Sequence, residues 1–123
     1  MKPNEYIKKA KRTAIKKYPF KKTGDVTPEI EHSIMGIVTE AGELMDEVKK
    51  AKIYGKKLDK LNLIEELGDL MWYIALILDH LEIDFETVWE KNINKLKVRY
   101  PKKFTENKAK NRNLEKEKNA LKI

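Results

Sequence analysis

The sequence TEAGELMDEV at residues 39–48, together with EELGDLMWY at residues 65–73, decides how this chain folds. Both stretches contain the pattern acid-x-Gly-acid within a run that has the apolar spacing of an α-helix. Side chains three positions apart lie on the same face of a helix. The sequence therefore predicts two helices that each present a pair of carboxylates, Glu40 with Glu43 and Glu66 with Asp69.

These acidic pairs predict a metal site. Like charges three or four positions apart on a helix repel each other, at a cost of about 0.2–0.5 kcal/mol per pair, so two such pairs in one small domain indicate a positive group between them. Four carboxylates form an all-oxygen site, which suits Mg²⁺, or Mn²⁺ as an alternative, and suits zinc poorly. Because Mg²⁺ is usually held by a few carboxylates together with substrate phosphates, a polyphosphate ligand is expected. A solvated acidic face is the alternative for either motif taken alone.

Composition limits the class of protein. A chain of 123 residues is long enough for one domain with a modest core, and it contains no cysteine, which is compatible with a reducing cytoplasm. The N-terminus lacks the apolar segment of a secretory signal, and no apolar run approaches the roughly 20 residues that span a bilayer. We therefore expect a cytoplasmic protein with no membrane partner.

The net charge of +7 is concentrated near the C-terminus, where residues 102–123 carry eight Lys or Arg and three Glu. We predict an all-α domain at residues 1–104 and a basic, weakly structured tail at residues 105–123. A non-catalytic helical protein that binds nucleic acid or another partner through this tail is the alternative function. The nearly neutral remainder of the chain and the absence of a DNA-binding signature argue against nucleic acid.

Hydrophobic periodicity predicts a bundle of about four main helices and no strand. The predicted limits are residues 4–18 for the first helix, residue 28 to a break at 54–55 for the second, residue 59 or 62 to 81 for the third, and 84–100 for the fourth. Gly42 and Gly68 lie inside two of these helices, where glycine costs about 1 kcal/mol relative to alanine. A close approach of helices is one reason for such glycines, and chance is the other.

Taken together, these residues resemble the MazG-like nucleotide pyrophosphohydrolases of the all-α NTP pyrophosphohydrolase superfamily. The resemblance rests on E-x-x-E, a gap of 22 residues and then E-x-x-D, with a glycine in each motif. It also rests on the ending N-x-x-K-L-x-x-R-Y-P at residues 92–101. The similarity extends over about residues 33–104, and the tail beyond it has no counterpart.

The resemblance implies Mg²⁺-dependent hydrolysis of nucleoside triphosphates to the monophosphate and pyrophosphate, in the housekeeping of nucleotide pools. The implied metal ligands are Glu40, Glu43, Glu66 and Asp69. Glu47, one turn beyond Glu43, is the candidate for the general base or an outer ligand. The candidates for substrate contacts are Lys95 and Arg99 on phosphate, Asn92 on sugar or phosphate, His32 on base or sugar, and Tyr73 stacked on the base. A histidine bonded to a nearby carboxylate is the alternative for His32, and a core position is the alternative for Tyr73.

The resemblance also implies a homodimer or homotetramer in which one subunit completes the site of another. Lys95 and Arg99 would then act either in their own subunit's site or in that of a neighbouring subunit. Short helices leave little room to enclose a nucleotide in one chain, and apolar positions expected to be exposed, such as Ile7, Ile15 and Trp89, agree with an oligomer. A ferritin-type di-metal bundle is excluded because it requires two Glu-x-x-His motifs, and only one occurs, at residues 29–32. The preferred base and sugar stay open.

Overall fold

The fold was described from a computed structural model that covers all 123 residues. The protein is all-α, as predicted. Its helices are α1 (Pro3–Lys11), α2 (Pro28–Lys52), α3 (Lys60–His80), α4 (Phe85–Arg99), α5 (Glu106–Lys110) and α6 (Leu114–Ala120). None of them combines the length and the apolar character needed to cross a membrane. The chain forms two compact units, Met1–Glu82 and Ile83–Ile123, which are described separately.

The long helices α2 and α3 form an antiparallel pair that organises the first unit. Both begin within two residues of the predicted limits, and a side chain caps each start. The Thr27 hydroxyl accepts a hydrogen bond from the Ile30 N–H at 3.2 Å, and the Asp59 carboxylate accepts bonds from the Leu61 and Asn62 N–H groups at 3.0 Å. Asp59, rather than Asn62, is therefore the cap of α3. Gly55, with φ +65°, lies in the turn that joins the two helices.

Helices α2 and α3 pack tightly against each other at Gly36. A methyl group at this buried position would overlap the ring of Tyr73 on α3. At Gly42 and Gly68, which the sequence pattern singles out, a methyl group would meet nothing within 4 Å. A tight contact between these helices therefore does not explain the two motif glycines within a single chain.

Helix α1 ends at Lys11, seven residues before the predicted end. The Thr13 hydroxyl donates to the Ala10 carbonyl at 2.8 Å and accepts a bond from the Trp72 indole N–H, also at 2.8 Å. A side chain bonded to the backbone in this way competes with the helical hydrogen bonds. The expectation that Ile7 is exposed was wrong, because α1 packs on α3 and Ile7 is only 9% exposed.

The second unit consists of α4 with the C-terminal helices α5 and α6. Asp84 caps α4 by accepting a bond from the Thr87 N–H at 2.8 Å, and α4 ends two residues before Pro101, close to the predicted limit. The segment expected to be weakly structured forms α5 and α6, and α6 packs against α4. Apolar periodicity does not reveal α6, because its buried residue is Glu117.

The division at residue 82 separates compact parts of the structure. The predicted boundary at residue 104 concerns instead the extent of the all-α domain expected from the sequence, and it stays a prediction.

Candidate metal centre

Helices α2 and α3 bring three of the four predicted metal-binding carboxylates together. One carboxylate oxygen from each of Glu40, Glu43 and Glu66 lies within 4.8 Å of the other two. Glu43 is exposed, Glu40 is half-buried and Glu66 is 8% exposed. This acidic cluster forms because an antiparallel pair of helices aligns the i, i+3 pair on α2 with the first acid of the motif on α3.

The acidic cluster is electrostatically unsatisfied. Hydrogen bonding with Glu43, followed by burial and by Glu40, raises the pKa of Glu66 to about 7. Burial is the main cause that raises the pKa of Glu40. One carboxylate oxygen on Glu40 and one on Glu66 are buried without a hydrogen-bond partner. Hard oxygen donors with unused lone pairs fit Mg²⁺ or Mn²⁺.

Asp69 and Glu47 stand apart from this cluster. Asp69 is exposed and its oxygens are not among the mutually close set, although its charge contributes to the raised pKa of Glu40. The carboxylate of Glu47 is 8% exposed and accepts a hydrogen bond from the Lys50 ammonium group at 3.1 Å. Sequence reasoning missed this lysine, although its i+3 spacing from Glu47 was a visible signal.

An aromatic row extends from the acidic cluster and consists of Tyr73, His32, Tyr18 and Phe20. Adjacent ring centroids are 5.5 Å apart for Tyr73 and His32, 5.3 Å for His32 and Tyr18, and 5.6 Å for Tyr18 and Phe20. Burial, and then the charges of Glu40, Asp69 and Glu43, raise the pKa of Tyr73, so the row begins next to the acids.

Within this row, His32 packs between two tyrosines, and its Nδ1 is buried without a hydrogen-bond partner. The structure therefore places the predicted substrate residue Tyr73 beside the carboxylates and His32 against Tyr73, and it adds Tyr18 to the row. Sequence reasoning missed Tyr18 because its position depends on the irregular segment between α1 and α2.

Known proteins with similar sequences identify the family of this chain. The sequence model of the MazG nucleotide pyrophosphohydrolase domain matches residues 29–104. The chain belongs to the MazG family. The Gene 37 protein of Mycobacterium phage L5 is similar, with 38% identity over 96 residues that cover 73% of this chain and 81% of the phage protein. No solved structure matches the chain significantly.

The MazG match includes all of α3 and α4 and nearly all of α2, and it stops before α5. It therefore contains the acidic cluster together with the predicted phosphate contacts on α4, which lie in the second compact unit. There Asn92 is exposed and Lys95 is half-buried.

Arg99 of the MazG domain already has a partner within its own unit. Its guanidinium donates two hydrogen bonds to Glu117 on α6, at 2.6 and 3.0 Å, and Arg112 donates two more to the same carboxylate. The two arginines lower the pKa of Glu117 to about 2. The predicted contacts of Lys95 and Arg99 with phosphate, and of Asn92 with sugar or phosphate, stay predictions. The contact between Arg99 and Glu117 competes with the role predicted for Arg99.

Proposed function

We propose that this MazG-family protein hydrolyses nucleoside triphosphates, including deoxynucleoside triphosphates, to the monophosphate and pyrophosphate, with Mg²⁺ or Mn²⁺ as cofactor and nucleotide-pool housekeeping as its role. The observation that carries the proposal is the acidic cluster, in which buried carboxylate oxygens have no hydrogen-bond partner. Repulsion among these acids disfavours the cluster unless a cation or a proton is shared between them. Membership of the MazG family supports the hydrolase class.

Glu40, Glu43 and Glu66 would hold the cation, with Asp69 as a fourth ligand. When bound, a divalent cation polarises phosphate oxygens and makes water a stronger nucleophile. The chain itself must first release the proton that Glu66 retains near neutral pH. Glu47, which forms an ion pair with Lys50 at 3.1 Å, is proposed as the general base or an outer ligand.

The phosphates of the substrate are proposed to lie at the acidic cluster. Its nucleoside is proposed to lie along the aromatic row, in contact with Tyr73 and His32. Lys95 and Arg99 are proposed to contact phosphate, and Asn92 sugar or phosphate. Lys95 and Arg99 would belong either to the same chain as the acids or to another copy. We also propose a homodimer or homotetramer. It is supported by large apolar side chains on the α2–α3 pair that are more than half exposed, namely Met35, Val38, Met45, Leu61, Ile64 and Met71.

The test is pyrophosphate release from a panel of NTPs and dNTPs, with Mg²⁺ and with EDTA. We expect release only with metal, and its loss in Glu43→Gln, which keeps the shape of the side chain and removes its charge. Glu65→Gln is the matched control, because this exposed acid lies on α3 outside the acidic cluster.

Release that persists in EDTA or in Glu43→Gln would contradict the metal site. No release from any nucleotide would contradict the enzymatic function. Salt-dependent binding of nucleic acid by residues 105–123 would then be the next measurement.

A further inference from the structure

A cavity of about 380 Å³ lies in the first unit beside Tyr18, in the part of the aromatic row farther from the acidic cluster. Its volume is in the range of small-molecule sites, roughly 300–1,000 Å³. The segment after α1, the start of α2 and the end of α3 contribute its walls, which include Ile15, Tyr18, Glu29, Ser33, Leu76 and Asp79.

The distance from the cavity to the carboxylates follows from the helices. Ser33 precedes Glu40 by seven residues on α2, and Leu76 follows Asp69 by seven residues on α3. At about 1.5 Å per residue, both helices separate the cavity from the acids by about 10 Å. A nucleotide with its phosphates at the acids and its sugar along Tyr73 and His32 therefore directs its base toward the cavity.

Of the charged groups in the cavity wall, Lys11 and Asp79 are paired, whereas Lys16 and Glu29 form no ion pair. Asp79 forms an ion pair with Lys11 at 3.0 Å, and the His80 Nε2 shares a hydrogen bond with the Thr27 hydroxyl at 2.9 Å. Glu29 forms no ion pair, and its charge, after burial, contributes to the raised pKa of Tyr18. The cavity therefore combines an aromatic ring with a carboxylate that can accept hydrogen bonds from a ligand.

We propose that this cavity takes the nucleobase of the substrate and that Glu29 selects bases that present N–H donors. The inference rests on the proposed function and adds a specificity-determining residue to it. A carboxylate binds best to two adjacent donors. Guanine offers such a pair in its ring N–H and its amino group. Cytosine and adenine offer one amino group beside an acceptor nitrogen, and thymine and uracil offer an N–H between two carbonyl oxygens. The expected order is guanine, then cytosine and adenine, then thymine and uracil.

A role in helix stability is the competing explanation for Glu29, since acids in the first turn favourably oppose the helix dipole. Glu31 provides the matched control. It lies in the same first turn of α2 and carries the same charge, but it does not line the cavity. A purely structural role predicts similar effects of Glu29→Gln and Glu31→Gln.

The test compares kcat/KM for dGTP, dCTP, dATP and dTTP in the wild type, Glu29→Gln and Glu31→Gln, all checked for folding by circular dichroism. We expect Glu29→Gln to lower kcat/KM for dGTP at least about tenfold, as for the loss of a hydrogen bond to a charged group. The value for dTTP should change by less than about threefold, and Glu31→Gln should leave all four values unchanged. Tyr18→Leu should reduce all four values about tenfold, because stacking is independent of base identity.

A wild-type preference for dTTP, or equal losses for all bases in Glu29→Gln, would overturn the base pocket and leave the proposed hydrolysis standing. Titration calorimetry with dGMP and dTMP tests the base pocket independently of the proposed hydrolysis. Glu29-dependent binding of dGMP without hydrolysis of any triphosphate would keep the pocket and reject the reaction. Equal affinity of the wild type for dGMP and dTMP would reject the pocket.

Discussion

Glu66 in the first unit and Glu117 in the second are both deeply buried carboxylates, 8% and 2% exposed, yet their acidities are opposite. The pKa of Glu66 is raised to about 7 beside Glu43 and Glu40, whereas the pKa of Glu117 is lowered to about 2 between Arg112 and Arg99. Burial alone raises the pKa of any carboxyl group. The difference therefore comes from the charged neighbours.

This comparison separates a buried carboxylate that has counter-charges within the chain from one that has none. Glu117 has its counter-charges within the chain, and its pairing with Arg99 joins α6 to α4. Both of its carboxylate oxygens already accept hydrogen bonds from arginine, so they are not free to bind a ligand. Glu66 has only other acids nearby and one oxygen without a partner. Perturbed acids of the second kind are the ones that indicate functional sites.

The largest expected effect is on catalysis. Glu66→Gln should lower the rate of pyrophosphate release at saturating Mg²⁺ by at least about a hundredfold, because it removes a carboxylate that we propose as a metal ligand. Glu117→Gln should leave the rate within about threefold of the wild type at a temperature where it is folded. Near-normal activity of Glu66→Gln would remove the distinction between the two acids.

The pH dependence of metal binding should show a proton leaving Glu66. Below its pKa of about 7, the affinity for Mg²⁺ should fall about tenfold per pH unit, because one proton must be displaced. Above that pH the affinity should level off. Titration calorimetry between about pH 5.5 and 8.5 measures this slope. A constant affinity through this range would show that the cluster binds metal without losing a proton, contrary to expectation.

The stability of the metal-free protein should respond to the two acids with opposite signs. The folded-state pKa of Glu66 lies above its ordinary value of 4.5, so its contribution is fully present below pH 4.5 and is lost as the pH rises to about 7. Glu117 has a lowered pKa, so its contribution is present above pH 4.5 and is lost as the pH falls toward 2.

Urea denaturation at about pH 8 in EDTA tests this contrast with two variants. Glu66→Gln should raise the denaturation midpoint because it removes a repelled charge. Glu117→Gln should lower it because it leaves two arginines without their shared partner. Shifts of the same sign in both variants would contradict the comparison.

The smallest expected effect is a difference between the two arginines that bind Glu117. The side chain of Arg99 is 17% exposed and that of Arg112 is 40% exposed, and solvent weakens the pairing of the more exposed group. Arg99→Met should therefore lower the melting temperature more than Arg112→Met does. Thermal denaturation followed by circular dichroism measures both, and an equal or reversed order would mean that exposure does not rank these contacts.

Features that depend on local sequence were the predictable ones. The caps at Thr27 and Asp59 and the carboxylate pairs on α2 and α3 follow from spacing over one or two turns. The grouping of Glu40, Glu43 and Glu66 also followed, because an acidic motif on each of two adjacent helices leaves few other arrangements.

Features that depend on a partner far away in the chain were not predicted from the sequence. The early end of α1 involves the bond from Trp72 to Thr13, 59 positions apart, and α6 is held by Glu117 on Arg99, 18 positions apart. Hydrophobic periodicity contains no sign of either contact. The close approach of α2 and α3 at Gly36 was missed for the same reason, since a glycine has no side chain whose polarity reveals what it faces.

The contact between Gly36 and Tyr73 fixes how α2 and α3 are aligned along their length. It lies midway between the carboxylates and the cavity, four residues from Glu40 and four from Asp69. With a ring seated directly on the α2 backbone, the two helices cannot slide past each other at this point without a clash. The distance between the acidic cluster and the cavity is thereby fixed, and we expect a ligand that reaches from one to the other to be selected by its length as well as by its charge.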